Sequence, residues 1–230
     1  MLKAIVFDFD GVIVDSEPLH YQAFLQVARQ ELGLEFSYQQ YIDRYIGFDD
    51  RDAFREMFTV AGKDAWRDDL NRVTELCQRK GDAFEQIVSR GIEAFPGVLE
   101  LIDHAWRKMP IAIASGATRL VIDRICARPG IAVRFTTFVT ADLVKRSKPD
   151  PQTYALAVEH LAARRPEIVI RPEDCVAIED TAAGIASARG AGLWPLGVTN
   201  STDAANLHQA HRVVTTLAGL HTDQLAKWFG

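Results

Sequence analysis

Hydrophobic and polar positions divide the chain into three stretches with different periodicities. The first is a short apolar run, KAIVFDF at residues 3–9, which contains and leads into acidic residues. From residue 16 to about residue 90, apolar residues recur at helical spacing and no strand-like run interrupts them. Beyond that point, short apolar runs alternate with helical segments, and the runs that predict strands read IAIAS, FVTA, CVAIED, LWPLGV and RVVT.

This alternation predicts an α/β fold with a doubly wound parallel sheet. Strands that alternate with helices form parallel sheets covered by helices on both faces. The first strand belongs to the same sheet, so the helical stretch is an insertion after it. We predict a Rossmann-like core domain of residues 1–15 and 91–230, with a small all-helical cap domain of residues 16–90.

Within the cap, the pattern predicts four helices. The first ends at Gly33, and Ser37 with Gln40 forms a capping-box signature for the second. Asp49 or the acid after it caps the third helix. The segment of residues 63–91 reads as one long, charged helix with few breaks.

Composition excludes several classes of function. The 230 residues are 48% hydrophobic and 25% charged, with a net charge of −5, which argues against nucleic acid as a partner and against a membrane surface. No apolar stretch is long enough to span a bilayer. Cys77, Cys126 and Cys175 lack CxxC spacing, so we expect reduced thiols in a cytoplasmic protein. The sequence carries no signal for the oligomeric state, and a monomer is the default expectation.

The first strand presents the clearest chemistry. Asp8 and Asp10 stand at positions i and i+2 on an extended chain, so both side chains point to the same side. Gly11 follows and permits a sharp turn. Buried carboxylates need a partner, and the simplest one is a divalent cation with oxygen ligands. The alternative is that these acids only cap the turn or helix that follows.

Other polar residues follow the remaining predicted strands. Ligands of doubly wound sheets bind at the carboxyl ends of the strands, near the point where the strand order reverses. Those ends carry Ser115-Gly116, Asp142 with the downstream Lys148, and Glu179-Asp180. Together these groups meet the needs of phosphoryl transfer: a metal to offset charge, a nucleophile, and donors to the phosphoryl oxygens.

The ordered motifs resemble those of the haloacid dehalogenase (HAD) superfamily. The matching segments are DFDGV at 8–12, SG at 115–116, KPDP at 148–151 and ED at 179–180. The stretch DSEPLHYQAF and the helical block after it resemble the subgroup with an α-helical cap inserted after strand one. That subgroup includes β-phosphoglucomutase-like and sugar-phosphate phosphatases. The resemblance covers essentially the whole chain.

The resemblance implies distinct roles for the acids. Asp8 is expected to be the nucleophile that forms an aspartyl-phosphate, and Asp10 the general acid and base. Mg²⁺ is the expected cofactor. Asp8 and Asp180 are its expected side-chain ligands, the backbone carbonyl of Asp10 also reaches it, and Glu179 is a ligand or an outer-shell partner. Capping of the helix after Asp180 is the structural alternative for the last two acids.

The resemblance also implies a phosphate-binding set. Ser115 donates its hydroxyl to the phosphoryl group, with help from the backbone amide of Gly116. A helix N-cap is the alternative role for this serine. Lys148 holds a phosphoryl oxygen and the nucleophile. Lys145 and Arg146 are rivals for that role, but the proline after Lys148 matches the family's lysine–proline pair.

Four cap residues are candidates for substrate contact: His20, Gly47, Arg51 and Lys80. His20 lies where mutase-like members carry a histidine, although an ordinary helical histidine fits equally well. Lys80 resembles a cap lysine near the active site, and the alternative is a position on a solvated helix face. Asp50 falls about where the mutase pattern has a phosphate-binding arginine. The segment after Gly116 also lacks a mutase-like lysine, and both departures weigh against a mutase.

The expected function is therefore a Mg²⁺-dependent phosphatase that acts on a small phosphorylated metabolite, such as a sugar phosphate. The first alternative is a β-phosphoglucomutase-like phosphomutase, which needs a long-lived phospho-Asp8 and a grip on a second phosphate. The second is a non-enzymatic protein that binds a phosphorylated metabolite, since a fold does not fix a function.

Overall fold

A computed structural model provides the structure of the protein and describes residues 1–45, 48–89, 91–127 and 130–229. These residues cluster into two compact units, Met1–Asp15 with Ile92–Gly230 and, separately, Ser16–Gly91. The first unit contains the sheet and the second is helical. None of the described helices has both the length and the apolar character needed to cross a membrane.

Six described strands form one parallel sheet in the order β3-β2-β1-β4-β5-β6. The strands are β1 (Ala4–Phe7), β2 (Ile111–Ala114), β3 (Thr137–Val139), β4 (Cys175–Glu179), β5 (Trp194–Val198) and β6 (Arg212–Val214). The α/β fold class predicted from the sequence is confirmed. Strand order reverses between β1 and β4, so the gap at their carboxyl ends is the switch point at which such sheets bind ligands.

The central strands are apolar because both of their faces are covered. Every residue of β1, β2 and β4 is buried. Continuous apolar runs, rather than alternating ones, are typical of strands buried on both faces. In register, Phe7 pairs with Ile113 on one side and with Ile178 on the other. The chain therefore leaves β1 and β4 at the same level, and the acids that follow each strand come together.

Helices α1 (Glu17–Leu32), α2 (Tyr38–Arg44), α3 (Asp50–Val60) and α4 (Leu70–Val88) form the second unit. Ser37 and Gln40 make both bonds of the capping box, and Gly33 ends α1 in the left-handed conformation. The long helix predicted over 63–91 is shorter. Residues Asp64–Trp66 form a 3₁₀ turn, and the Asp69 side chain accepts the first amides of α4, so that helix begins at Leu70.

The helices of the first unit are α5 (Val98–Trp106), α6 (Arg119–Ala127), α7 (Gln152–Arg164), α8 (Ala182–Gly190) and α9 (Thr222–Phe229). Residues of α7 and α8 pack with β1, β2 and β4 in one core cluster on one face of the sheet. Small side chains on α8 allow it to approach β4 closely. This approach determines the geometry of the acidic residues at the end of β4.

Candidate active site

Three buried carboxylates meet at the carboxyl ends of β1 and β4. Asp8 directly follows β1, Glu179 is the last residue of β4 and Asp180 follows it. These three residues are 7%, 0% and 1% exposed, respectively. Each contributes one carboxylate oxygen to a group in which all three atoms lie within 4.8 Å of one another. The amide of Asp8 donates to the carbonyl of Ile178, which extends the pairing of the two strands by one residue.

Lys148 is the cation within this cluster. Its Nζ lies 2.9 Å from Asp8 Oδ1 and 2.7 Å from Glu179 Oε1, and it also donates to the carbonyl of Ala114 at 3.0 Å. The rival basic residues are elsewhere: Lys145 and Arg146 are exposed, and Arg146 pairs with Asp150 at 3.1 Å. Of the three basic residues in this loop, Lys148 is therefore the one that contacts the acid cluster.

The Glu179 carboxylate is surrounded by donors. Oε1 accepts from Lys148 and, at 2.9 Å, from the hydroxyl of Tyr154. Oε2 accepts from the amides of Asp180 and Thr181 and from the Thr181 hydroxyl, at 3.0–3.2 Å. With five donors in place, this carboxylate is held rigidly and has little capacity left for another ligand.

Within the described part of the chain, the Asp180 carboxylate lacks the surrounding donors that Glu179 has. Among the described residues, its Oδ1 is buried and has no hydrogen-bond partner. Asp180 Oδ2 and Ser201 Oγ both lie against Gly11, where a Cβ would fall 1.9 Å from the first and 2.7 Å from the second. An unpaired oxygen on a buried carboxylate is costly, so this atom marks a place where a further ligand would be stabilising.

The clustered negative charge changes the protonation of the site. Burial, and next the Glu179 carboxylate, raise the pKa of Asp8 well above its ordinary value, although Lys148 opposes the shift. Burial and Glu179 also raise the pKa of Asp180 to about 7. Burial disfavours the charged form of Lys148, but Asp8 and Glu179 outweigh it and raise the pKa of this lysine. The cluster thus lacks positive charge.

The residues present fit a divalent cation. Carboxylate oxygens are the ligands that Mg²⁺ prefers, and the unpartnered Oδ1 of Asp180 lies in the group of oxygens contributed by Asp8, Glu179 and Asp180. A dication would supply the positive charge that a single lysine does not. Because the Glu179 oxygens are engaged by five donors, Asp8 and Asp180 are better suited as direct ligands.

The remaining candidates of the core stand around this cluster. Ser115 is 1% exposed at the end of β2, and its Oγ accepts from the Ala117 amide at 2.9 Å, which leaves the hydroxyl proton available to donate. Gly116 is exposed beside it, and Asp10 is half-buried in the turn after β1, where a β-bridge joins it to Val14.

In the helical unit, two of the cap candidates contact each other. Lys80 is 4% exposed and donates to His20 Nδ1 at 2.9 Å and to Asp50 Oδ1 at 2.7 Å. Burial, and next the Lys80 ammonium, lower the pKa of His20 to about 3, so the imidazole is neutral. Lys80 is therefore not on a solvated helix face. Arg51 is exposed in the first turn of α3, and Gly47 lies outside the described residues.

Several residues at the site were not singled out from the sequence. Tyr154 reaches Glu179 from α7, and Gly184 of α8 lies so close that a Cβ there would fall 1.8 Å from Glu179 Oε1. Asn200 and Ser201 follow β5. Asn200 donates to the Gly11 carbonyl, and a Cβ on Gly11 would fall 2.7 Å from Ser201 Oγ. The run of small residues after Thr181 was the available sequence signal for the close approach of α8. No sequence signal identified the other three.

A doubly wound parallel sheet with a lysine and an acid cluster at its switch point is the arrangement expected of a phosphoryl-transfer enzyme with a Rossmann-like fold. The family model described as haloacid dehalogenase-like hydrolase matches residues 2–192, and the chain belongs to this family.

Curated relatives extend over most of the chain. It is 34% identical over 202 residues to protein CbbY of Rhodobacter capsulatus, covering 84% of this chain and 83% of that one. It is 30% identical over 219 residues to hexitol phosphatase A of Escherichia coli, covering 94% and 91%. Among solved structures, β-phosphoglucomutase of Clostridium difficile shares the fold, with a TM-score of 0.78 at 22% identity over 100% of this chain and 97% of that one.

Proposed function

We propose that the protein is a Mg²⁺-dependent phosphatase of a small phosphorylated metabolite, a sugar phosphate or similar compound, that acts through an aspartyl-phosphate on Asp8. The observation that carries the proposal is the contact of Lys148 with Asp8 Oδ1 at 2.9 Å within the acid cluster. A buried carboxylate beside a largely buried ammonium and two further acids has the groups that phosphoryl transfer needs. The phosphatase named among the relatives is consistent with it.

Each residue has one task in this reaction. A carboxylate oxygen of Asp8 attacks phosphorus, the bond to the ester oxygen breaks, and Asp10 gives its proton to the leaving alkoxide. Asp10 then takes a proton from the water that attacks the aspartyl-phosphate, which releases inorganic phosphate and restores Asp8. Lys148, the Ser115 hydroxyl and the Gly116 amide donate to the phosphoryl oxygens.

The cation would be held by the side chains of Asp8 and Asp180, with the Asp10 carbonyl as the family resemblance implies. Glu179, engaged by five donors, orients Lys148 and stays in the outer shell. When bound, Mg²⁺ offsets the negative charge of the phosphoryl group and the carboxylates.

The test is hydrolysis of p-nitrophenyl phosphate with Mg²⁺, using Asp8→Asn against the wild type. The amide keeps the shape of the carboxylate but is a far poorer nucleophile, so we expect a loss of at least about 10³-fold in kcat. The matched control is Asp223→Asn, an exposed acid of α9 that pairs with Lys108 at 2.7 Å. Full Mg²⁺-dependent activity in Asp8→Asn would exclude the covalent mechanism.

The phosphomutase alternative has less support. It needs cationic groups that grip a second phosphate. Lys80 is already bound to Asp50 at 2.7 Å, and the Arg119 guanidinium lies 4.1 Å from the Phe138 ring and donates to Asp123. Interconversion of hexose-phosphate isomers, followed by NMR, would establish mutase activity.

The binding-protein alternative predicts no turnover at all. Hydrolysis of p-nitrophenyl phosphate with Mg²⁺ contradicts it directly. No hydrolysis of this ester or of a broad panel of phosphorylated metabolites, with several divalent metals, would support it.

A further inference from the structure

Tyr154 of α7 contacts both the lysine and one of the acids of the candidate site. The residue is 0% exposed and belongs to the largest fully buried side chains of the described residues. Its hydroxyl donates to Glu179 Oε1 at 2.9 Å, and the centroid of its ring lies 5.0 Å from Lys148 Nζ. A hydroxyl at such depth is costly unless it is paired, and the bond to Glu179 supplies the pairing.

All three N–H groups of the Lys148 ammonium have an acceptor nearby. An ammonium carries three donors. Three oxygens lie within 3.0 Å of Nζ: Glu179 Oε1 at 2.7 Å, Asp8 Oδ1 at 2.9 Å and the Ala114 carbonyl at 3.0 Å. In the proposed reaction this lysine also donates to a phosphoryl oxygen. Binding of the phosphoryl group therefore requires Lys148 to give up one of its present acceptors.

Glu179 Oε1 can be released by the lysine without being left unpaired, because Tyr154 also donates to it. A buried carboxylate oxygen that loses every donor is costly. With the Tyr154 bond in place, Oε1 keeps one donor after Lys148 turns to the phosphoryl oxygen. The three donors on Oε2, two backbone amides and the Thr181 hydroxyl, hold the carboxylate in position during the exchange.

We infer that Tyr154 is a positioning residue for Lys148: by donating to Glu179 Oε1, its hydroxyl allows the lysine to exchange that oxygen for a phosphoryl oxygen. This role rests on the proposed phosphatase function. In Tyr154→Phe, the same exchange would leave Oε1 buried without a donor, which corresponds to about a 10-fold loss in phosphate affinity. The phenylalanine ring keeps the packing and the contact with the ammonium, so the substitution removes only the hydroxyl.

The experiment is isothermal titration calorimetry of inorganic phosphate, with Mg²⁺ present, into wild-type protein and Tyr154→Phe, together with steady-state hydrolysis of p-nitrophenyl phosphate. We expect the Kd for phosphate to rise and kcat/KM to fall, each by about 10-fold. Phosphate should then raise the melting temperature of the variant less than that of the wild type at the same concentration. A role in the fold alone would lower the melting temperature without phosphate and leave the Kd unchanged.

The matched control is Thr137→Val, which also removes one buried hydroxyl and keeps the shape of the side chain. Thr137 is 3% exposed at the amino end of β3, away from the strand ends that carry the acids, and its hydroxyl accepts from Arg164 Nη1 at 2.9 Å. The Kd of this control for phosphate should stay within about twofold of the wild-type value.

The outcomes separate the role of Tyr154 from the proposed function. If the wild type hydrolyses the ester but the phosphate Kd or the kcat/KM of Tyr154→Phe stays within about twofold of the wild-type value, the positioning role is wrong while the proposed function stands. The same holds if Thr137→Val weakens phosphate binding equally. If the wild type neither hydrolyses the ester nor binds phosphate, the proposed function fails and the role of Tyr154 fails with it.

Discussion

Gly184 of α8 packs directly against the carboxylate that organises the site. In Gly184→Ala, the new Cβ would lie 1.8 Å from Glu179 Oε1 and 1.9 Å from its Cδ, whereas ordinary contacts begin at 3.4 Å. The carboxylate or the helix must therefore move by about 1.6 Å, the difference between the two contact distances. The hydrogen bonds that Glu179 Oε1 accepts from Lys148 and Tyr154, at 2.7 and 2.9 Å, would not survive such a shift.

The cost follows from the broken buried pair. Breaking a buried ion pair destabilises by about 3–5 kcal/mol. Alanine in place of glycine within a helix offsets about 1 kcal/mol of that loss. We expect the free energy of unfolding of Gly184→Ala to fall by about 2–4 kcal/mol. At this chain length, that corresponds to a decrease of roughly 4–16 °C in Tm.

The assay is urea denaturation, with Gly81→Ala as the matched control. Gly81 lies inside α4, and nothing lies within 4 Å of the position of its missing Cβ. The same substitution there should stabilise the protein by about 0.5–1 kcal/mol through helix propensity alone. If both variants are equally stable, or if both gain stability, the close packing of α8 on Glu179 is not a constraint and the reasoning is refuted.

Two further predictions concern buried charge. Lys148→Met leaves the Asp8 and Glu179 carboxylates without their shared cation. In urea denaturation of the metal-free protein, its free energy of unfolding should therefore be about 3–5 kcal/mol lower than that of the wild type, and saturating Mg²⁺ should restore part of the difference. An unchanged denaturation midpoint would contradict this prediction. Burial, and next the Lys80 ammonium, lower the pKa of His20 from 6.5 to about 3. Between pH 6.5 and pH 3 the unfolded chain therefore binds more protons at this residue than the folded protein does. The free energy of unfolding consequently falls as the pH decreases from 6.5 towards 3. Between about pH 7 and pH 5, His20 should lower the free energy of unfolding by about 2 kcal/mol. Urea denaturation at both pH values should show this decrease in the wild type but not in His20→Asn. Equal decreases in the two proteins would exclude the effect.

The fold could be predicted because its signals are local. All six predicted strands are apolar runs flanked by polar residues, and each appears in the sheet. The long helix predicted over 63–91 was wrong at its start because helical periodicity does not show which acid accepts the first amides. The Asp69 side chain does so, and the preceding segment turns at Gly62, whose φ is +67°.

The candidate site was predictable only in part. Acids and a lysine at strand ends indicated where the chemistry lies, because parallel strands end on one edge. Their contacts were not predictable. Choosing Lys148 over its two basic neighbours required the resemblance, and its ion pairs depend on how the loop folds over the sheet. The five donors on Glu179 come from residues up to 31 positions away in the chain.

The sequence by itself determined the elements, the strand-end acids and the family to which they belong, because periodicity and ordered motifs are properties of the chain. Only the tertiary structure decided which groups surround each acid. Close packing of Gly184 and Gly11 brings backbone against the Glu179 and Asp180 carboxylates. Distant donors saturate the first, whereas Oδ1 of the second has no hydrogen-bond partner among the described residues. The same-side pair that begins at Asp8 thus becomes a site only when residues from four strands and two helices converge on it.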